Sequence, residues 1–196
     1  MLFGQPFGGV IPGVRGAVLA VLLRTGEPLT GRQVHGLLKD EHSLWSVQEG
    51  LRAWAALGVV ETVTVGRAVL HSVNEGHVAV PALRALLDPI AALTAAMGEH
   101  IDSHVQAVIL YGSVARGEAT PESDVDLAVI ASPGWDQRVE LEETVRSRLG
   151  NDCDVLVFTA DRFRHLAVSG ETVVVDILAD GIPLVGSMPR VKRRVG

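Results

Sequence analysis

The chain has 196 residues, 47% of them hydrophobic and 20% charged, which allows one ordinary domain or two small ones and excludes disorder as the overall state. Seventeen Lys and Arg against 23 Asp and Glu leave a net charge of −6, which argues against a protein that coats nucleic acid by charge alone. A single cysteine, Cys153, excludes an internal disulfide framework and a multi-cysteine zinc site, and no apolar run reaches the ~20 residues of a membrane span. The opening residues lack the basic region and long apolar stretch of a secretory signal, so a cytoplasmic setting without a membrane partner is expected.

In chain order, FGQPFGGVIPG reads as an irregular lead-in and Val14 to Leu23 as a helix ending at Arg24-Thr25-Gly26. Thr30 suits the N-cap of a second helix running to about Leu38. A third helix is expected from Ser43 to Leu57, stopped by Gly58. Val59–Val65 and Ala68–Val73 flank Gly66 as a hairpin. Between Val80 and Ser103, Leu83, Leu87, Ile90, Leu93, Met97 and Ile101 recur at helical spacing, with Pro89 predicting a kink or two abutting helices. That stripe suits packing on a core or pairing with a second copy in a homodimer. Strands follow at Val105–Tyr111, Val125–Ile130 and Cys153–Thr159, with helices over Trp135–Leu149, 161–168 and 170–180.

Three helices followed by a hairpin resemble a winged helix-turn-helix, and Val47, Leu51, Trp54 and Gly58-Val59-Val60 resemble the buried spacing of its recognition helix. The resemblance implies a DNA face at Ser43, Gln48, Arg52 and Arg67. Residues 1–75 are neutral overall, however, which is a weak footprint for DNA and suits a protein-interaction module equally well. The expected organisation is a winged helix over 1–78, a linker helix over 79–103, a catalytic domain over 104–187 and a basic tail over 188–196 with Arg190, Lys192, Arg193 and Arg194.

The chemistry-bearing stretch is Tyr111-Gly112-Ser113-Val114-Ala115-Arg116-Gly117, followed by Ser123-Asp124-Val125-Asp126. It reads G-S, ten residues, then D-x-D. Gly112, without a Cβ, lets backbone approach a phosphate, and Ser113 opens a short helix whose free N–H groups favour an anion. Arg116 can fork onto phosphate oxygens from the loop that Gly117 closes. Asp124 and Asp126, two apart on a strand, leave the same face. Two carboxylates ~4 Å apart repel by roughly 4 kcal/mol at an effective dielectric near 20, and a divalent cation relieves that repulsion. Asp154 opens the next apolar strand. Beside Val125–Ile130 it would complete the trio, bind a second metal ion and draw the proton from an attacking hydroxyl.

This arrangement resembles the DNA polymerase β-like nucleotidyltransferases, and within them the minimal nucleotidyltransferases with their G-S-x-A-R-G … S-D-x-D core, over about residues 100–186. The resemblance implies an α/β (α+β) chain, with a mixed sheet and flanking helices behind the winged helix. It also implies Mg²⁺ (or Mn²⁺) on Asp124, Asp126 and Asp154, and ATP or another NTP held by Gly112, Ser113, Arg116, Gly117 and Ser123. The nucleotidyl group would pass to a hydroxyl of a macromolecular acceptor, RNA or a toxin-like partner protein, as in antitoxins. The alternative is a winged-helix transcriptional regulator whose second half senses a nucleotide. Aminoglycoside-type adenylylation is a third reading. His100 and His104 at i, i+4 suggest a solvated helix face over a zinc pair. Glu140, Glu142 and Glu143 read as an exposed helix side, and Cys153 as a buried thiol disfavoured as thiolate by its flanking acids.

Overall fold

The computed structural model describes residues 1–191, so Lys192, Arg193 and Arg194 of the expected tail lie outside the described residues. The chain forms two compact units, Gln5–Pro89 and Met1–Gly4 together with the chain from Ile90 onward.

The first unit contains α1 (Gly13–Thr25), β1 (Leu29–Thr30), α2 (Gly31–Leu38), α3 (Leu44–Ala56), β2 (Val60–Val65), β3 (Ala68–Val73) and α4 (Val80–Leu86). Local chemistry sets the boundaries. Gly26 closes α1 in the left-handed region at φ 68°. The Thr30 hydroxyl accepts from the Gln33 N–H at 3.2 Å while Gln33 Oε1 accepts from the Thr30 N–H at 2.8 Å, a capping box that starts α2. Val47, Leu51 and Trp54 turn the apolar side of α3 onto α1, and Trp54 Nε1 donates to the Arg15 carbonyl at 2.8 Å. The three strands are antiparallel in the order β1-β3-β2, and Gly66-Arg67 closes the β2–β3 hairpin beyond the Val65↔Ala68 pair.

Over 79–103 the chain forms two abutting helices, one of the two outcomes expected at Pro89, in place of one continuous linker helix. Pro89 begins a separate helix, α5 (Pro89–Met97), the position where its missing N–H costs nothing. Val80, Leu83, Leu86 and Leu87 pack into the first unit's core, whereas Ile90, Leu93 and Met97 pack into the second's. The boundary therefore falls inside the expected linker.

The second unit continues with β4 (Val105–Tyr111), α6 (Gly112–Ala115), β5 (Val125–Ala131), α7 (Arg138–Leu149), β6 (Cys153–Phe158), α8 (Ala160–Ser169), α9 (Thr172–Asp180) and β7 (Ile182–Gly186). Its mixed sheet has the order β6-β5-β4-β7, with β5 and β6 parallel and the other pairs antiparallel. Period-2 alternation splits the strands between two cores. Val108, Leu110, Leu127, Val129 and Val155 face α5 and α7, while Ala107, Ile109, Ala128, Ile130 and Phe158 face α8 and α9. Both faces of β4 and β5 are covered, so these strands read as nearly continuous apolar runs. β7 carries Pro183, which an edge strand tolerates.

His100 and His104 do not share a helix. His100 lies in a short 3-10 turn, buried between Gln137 Oε1 (3.2 Å from Nδ1) and Thr144 Oγ1 (2.8 Å from Nε2), while His104 lies in a turn beside Asp102. Both His100 ring nitrogens are engaged, so the residue holds the α5–β4 connection against α7. Among the described residues no single helix is long and apolar enough to cross a membrane.

Candidate active site

The site lies where β4 ends and β5 and β6 begin. After Tyr111 the chain turns at Gly112, φ +71°, into α6, whose Gly112 carbonyl accepts from the Arg116 N–H at 3.2 Å. The Glu118 N–H then donates to the Ser113 carbonyl at 2.9 Å. Thr120 and Ser123 close a second turn: the Thr120 N–H donates to Ser123 Oγ at 2.9 Å, and the Ser123 N–H donates to the Thr120 carbonyl at 3.1 Å. The Val125 N–H reaches the Asp152 carbonyl at 2.8 Å and starts the parallel β5–β6 pairing. Its register sets Asp126 beside Asp154, and the antiparallel β4–β5 register sets Tyr111 beside Asp126. Tyr111, Asp126 and Asp154 therefore form a row across three strands, on the sheet face that bears α8 and α9.

Electrostatics tie these groups together. The half-buried Asp126 carboxyl is pushed above the usual carboxylate range, first by burial and then by the charges of Asp154 and Asp124, with Arg116 pulling the other way. Burial, Asp126, Asp154 and the Cys153 thiol push the Tyr111 hydroxyl up to about 12. Burial, followed by Glu142 and the three aspartates, pushes Cys153 up to about 12, so its thiol stays protonated. Arg116 donates from Nε to Glu118 Oε2 at 2.8 Å and also feels Asp180 and Asp176 of α9.

Of the expected site residues, the structure brings Gly112, Arg116, Asp124 and Asp154 around Asp126. Asp124 sits one residue before β5, exposed, and Asp154 is exposed at the start of β6. Among the described residues no group of three or more His, Cys, Asp or Glu side chains is close enough to hold a metal ion, so the expected closed trio of ligands does not form. The donor set still suits a hard divalent cation. It consists of carboxylates crowded enough to raise Asp126, with no cation of the chain bonded to any of the three among the described residues. Ser113 lies in the first turn of α6 and Gly117 is exposed at φ +72°. The Ser123 hydroxyl is committed to the Thr120 turn.

Gly112 differs in its reason. A β-carbon there would overlap the Asp126 carboxylate, so the missing side chain makes room for the acid. Sequence reasoning gave no role to Tyr111, nor to Asp176 and Asp180, four apart on α9 and so on one helical face. It also misplaced Glu142. That side chain is only 22% exposed and its Oε1 accepts from the Val155 N–H of β6 at 3.1 Å and from Arg138 Nε at 2.8 Å.

In the first unit, the Ser43 hydroxyl caps α3 by accepting from the Ser46 N–H at 3.2 Å, and Gln48 is exposed. Arg52 is ion-paired to Glu49 on the same helix, and Arg67 is exposed in the hairpin turn. Of the two cations among these four, Arg52 is matched by Glu49, and Arg67 has no ion pair among the described residues.

Residues 99–177, less than half of the chain, match the family model described as Polymerase beta, Nucleotidyltransferase, and the activity class is transfer of nucleotidyl groups. Among solved structures, the chain is similar to one from a toxin-antitoxin crystal structure with AMP-PNP, at 23% identity over 51% of this chain and 75% of the other, TM-score 0.39. A complex of an MNT antitoxin with a tri-AMPylated Shewanella oneidensis HEPN toxin gives 20% identity, 50% and 73% coverage and a TM-score of 0.33. A protein described as a minimal nucleotidyltransferase gives 28% identity, 55% and 98% coverage and a TM-score of 0.36. No curated protein matches the chain.

Proposed function

We propose that the second unit moves a nucleoside monophosphate, AMP in the first instance, from a nucleoside triphosphate to a hydroxyl of a macromolecular acceptor, as an antitoxin modifying a partner protein would. The observation that carries this reading is the Asp126–Asp154 pair, set side by side by the parallel register next to the Gly112–Ser113 turn. Arg116 faces the same cluster and would grip phosphate oxygens, exchanging Glu118 for the nucleotide. Ser113 and the α6 backbone would orient the triphosphate.

Asp124, Asp126 and Asp154 would hold Mg²⁺ or Mn²⁺, which would offset their repulsion and the charge of the triphosphate. Asp154, the most exposed of the row, would accept the proton of the acceptor hydroxyl. The acceptor oxygen then bonds to the α-phosphorus, the bond from that phosphorus to the bridging oxygen breaks, and pyrophosphate leaves with the electron pair.

The first unit we read as a winged helix-turn-helix, supported by its α1-β1-α2-α3-β2-β3 order and three-stranded sheet. Arg52 matched by Glu49 favours a protein-interaction role over DNA recognition.

The test is transfer of label from α-labelled ATP, with Mg²⁺, to a HEPN-type protein and to RNA. Transfer that disappears in Asp126→Asn is expected. Absence of both transfer and metal-dependent nucleotide binding would overturn the reading, and nucleotide-dependent DNA binding without transfer would favour the regulator.

A further inference from the structure

Among the described residues the buried polar side chains are His100 and Asn151. Asn151, 5% exposed in the connection between α7 and β6, commits its whole amide to other parts of the backbone. Its Oδ1 accepts from the Met1 nitrogen at 2.6 Å, and its Nδ2 donates to the Met1 carbonyl at 3.1 Å and to the Ser123 carbonyl at 3.5 Å. The Met1 nitrogen also donates to the Leu149 carbonyl at 2.7 Å, and Phe3 packs against the core of the second unit, to which residues 1–4 belong. A buried amide is costly to leave unpaired, so these bonds hold the side chain in one orientation.

The bond to Ser123 matters because of the residue that follows it. Asp124 lies outside β5, and both of its chain neighbours are tied to one dipeptide: the Ser123 carbonyl to the Asn151 amide, and the Val125 N–H to the Asp152 carbonyl at 2.8 Å. The Asp152 side chain is held in turn by Arg146 of α7, at 2.7 Å. Two residues beyond Asp152 the same segment presents Asp154 level with Asp126. One connection therefore sets the backbone on either side of Asp124 and the start of the strand that carries Asp154. Asn151 supplies an uncharged donor to it, where a carboxylate would add to the repulsion among the acids and a cation would compete for them.

We propose that Asn151 is a positioning residue for the acidic site: it touches no substrate, and by holding the Ser123 carbonyl it fixes the backbone that carries Asp124 beside Asp126. The proposal rests on the reading of Asp124, Asp126 and Asp154 as the holders of a divalent cation, and it names the residue that sets their spacing. Partners behind a metal ligand commonly govern affinity by tenfold or more when they are removed. The contact to Ser123 is the longest of the three that Asn151 makes, so it is the one that yields first when the side chain is disturbed.

Titration of the full chain with Mn²⁺ alone, followed by electron paramagnetic resonance, tests this. Asn151→Ala is expected to bind Mn²⁺ about tenfold more weakly than wild type. Phe3→Ala loosens Met1 and leaves Asn151 in place, so it should shift the affinity the same way by less, and it carries the test if Asn151→Ala does not fold. His100→Ala removes the other buried polar side chain and should leave Mn²⁺ affinity unchanged, which separates positioning from general loosening. Amide exchange at Val125 should be about tenfold faster in Asn151→Ala, with or without metal. In the transfer assay the Mg²⁺ midpoint should rise about tenfold while the KM for ATP at saturating Mg²⁺ stays at the wild-type value. Wild-type Mn²⁺ affinity in Asn151→Ala, or in Phe3→Ala where that variant carries the test, would overturn the inference, as would an equal loss in His100→Ala. A wild-type chain that neither binds Mn²⁺ nor transfers label would instead overturn the reading of the acids as a cation site, and this inference with it.

Discussion

The Asp126 carboxylate occupies the space that a side chain on Gly112 would fill, so the glycine of the G-S pair answers to the acid across the strand. Gly112 also lies at φ +71°, a region that costs a non-glycine residue about 1–3 kcal/mol. Gly112→Ala should therefore lower stability by more than that amount, because the clash with the carboxylate adds to the backbone cost, and abolish transfer by displacing Asp126. In an Asp126→Ala background only the backbone cost remains. Urea titrations of the four variants in this cycle should show a smaller penalty for Gly112→Ala when the carboxylate is absent.

Asp126 has a raised carboxyl in the folded chain, so the folded state binds that proton more tightly than the unfolded one. Its stabilising contribution is present at pH below the ordinary carboxylate range and is lost as pH rises through the raised value. Asp126→Asn should consequently melt above wild type at neutral pH while losing activity, and the gap should close as pH falls toward 4. Scanning fluorimetry across pH checks both halves. An Asn variant that melts lower at neutral pH would mean the carboxylate holds structure.

Arg116 is bonded to Glu118 and faces Asp126, so it is held ready by one acid beside another. Arg116→Ala should raise the KM for the triphosphate by about tenfold or more, and Arg116→Lys should recover only part of it because a point charge cannot fork. Glu118→Gln should change KM far less. Steady-state kinetics at saturating acceptor separates these outcomes.

Glu142 caps an edge N–H of β6, the strand that carries Asp154. Glu142→Ala leaves the Val155 N–H without its acceptor and should cost about 1–2 kcal/mol. Glu142→Gln keeps an acceptor and should stay near wild type. The same substitution removes a charge that holds the Cys153 thiol up, so thiol reactivity at alkaline pH should rise in both variants.

The strands that build the site were legible because they are long and apolar on both faces. β4 runs from Val105 to Tyr111 as expected, and β5 overruns its expected end only at Ala131. The G-S and D-x-D residues were legible as a spacing, and the β5–β6 register brings Asp154 beside Asp126, although Asp124 does not close the three into one ligand group. What escaped depends on contacts far apart in sequence. β1 has two residues, and β7 includes a proline, so neither shows a period. Glu142 stands among Glu140 and Glu143 as if on a solvent face, and only the approach of β6 makes it an acceptor. His100 looked like half of a helical pair because the apolar stripe continued past Met97, where the chain leaves helix for a 3-10 turn.

Because Asp126 and Asp154 sit level on parallel strands, the spacing between their acids depends on phase as well as distance. Removing a single residue from the Gly150–Asp152 connection would present Val155 to the cleft and drive Asp154 into the apolar layer beneath α7. Insertions elsewhere between the two strands would leave that parity untouched. Length variation in this stretch should therefore be tolerated before α7 and refused after it.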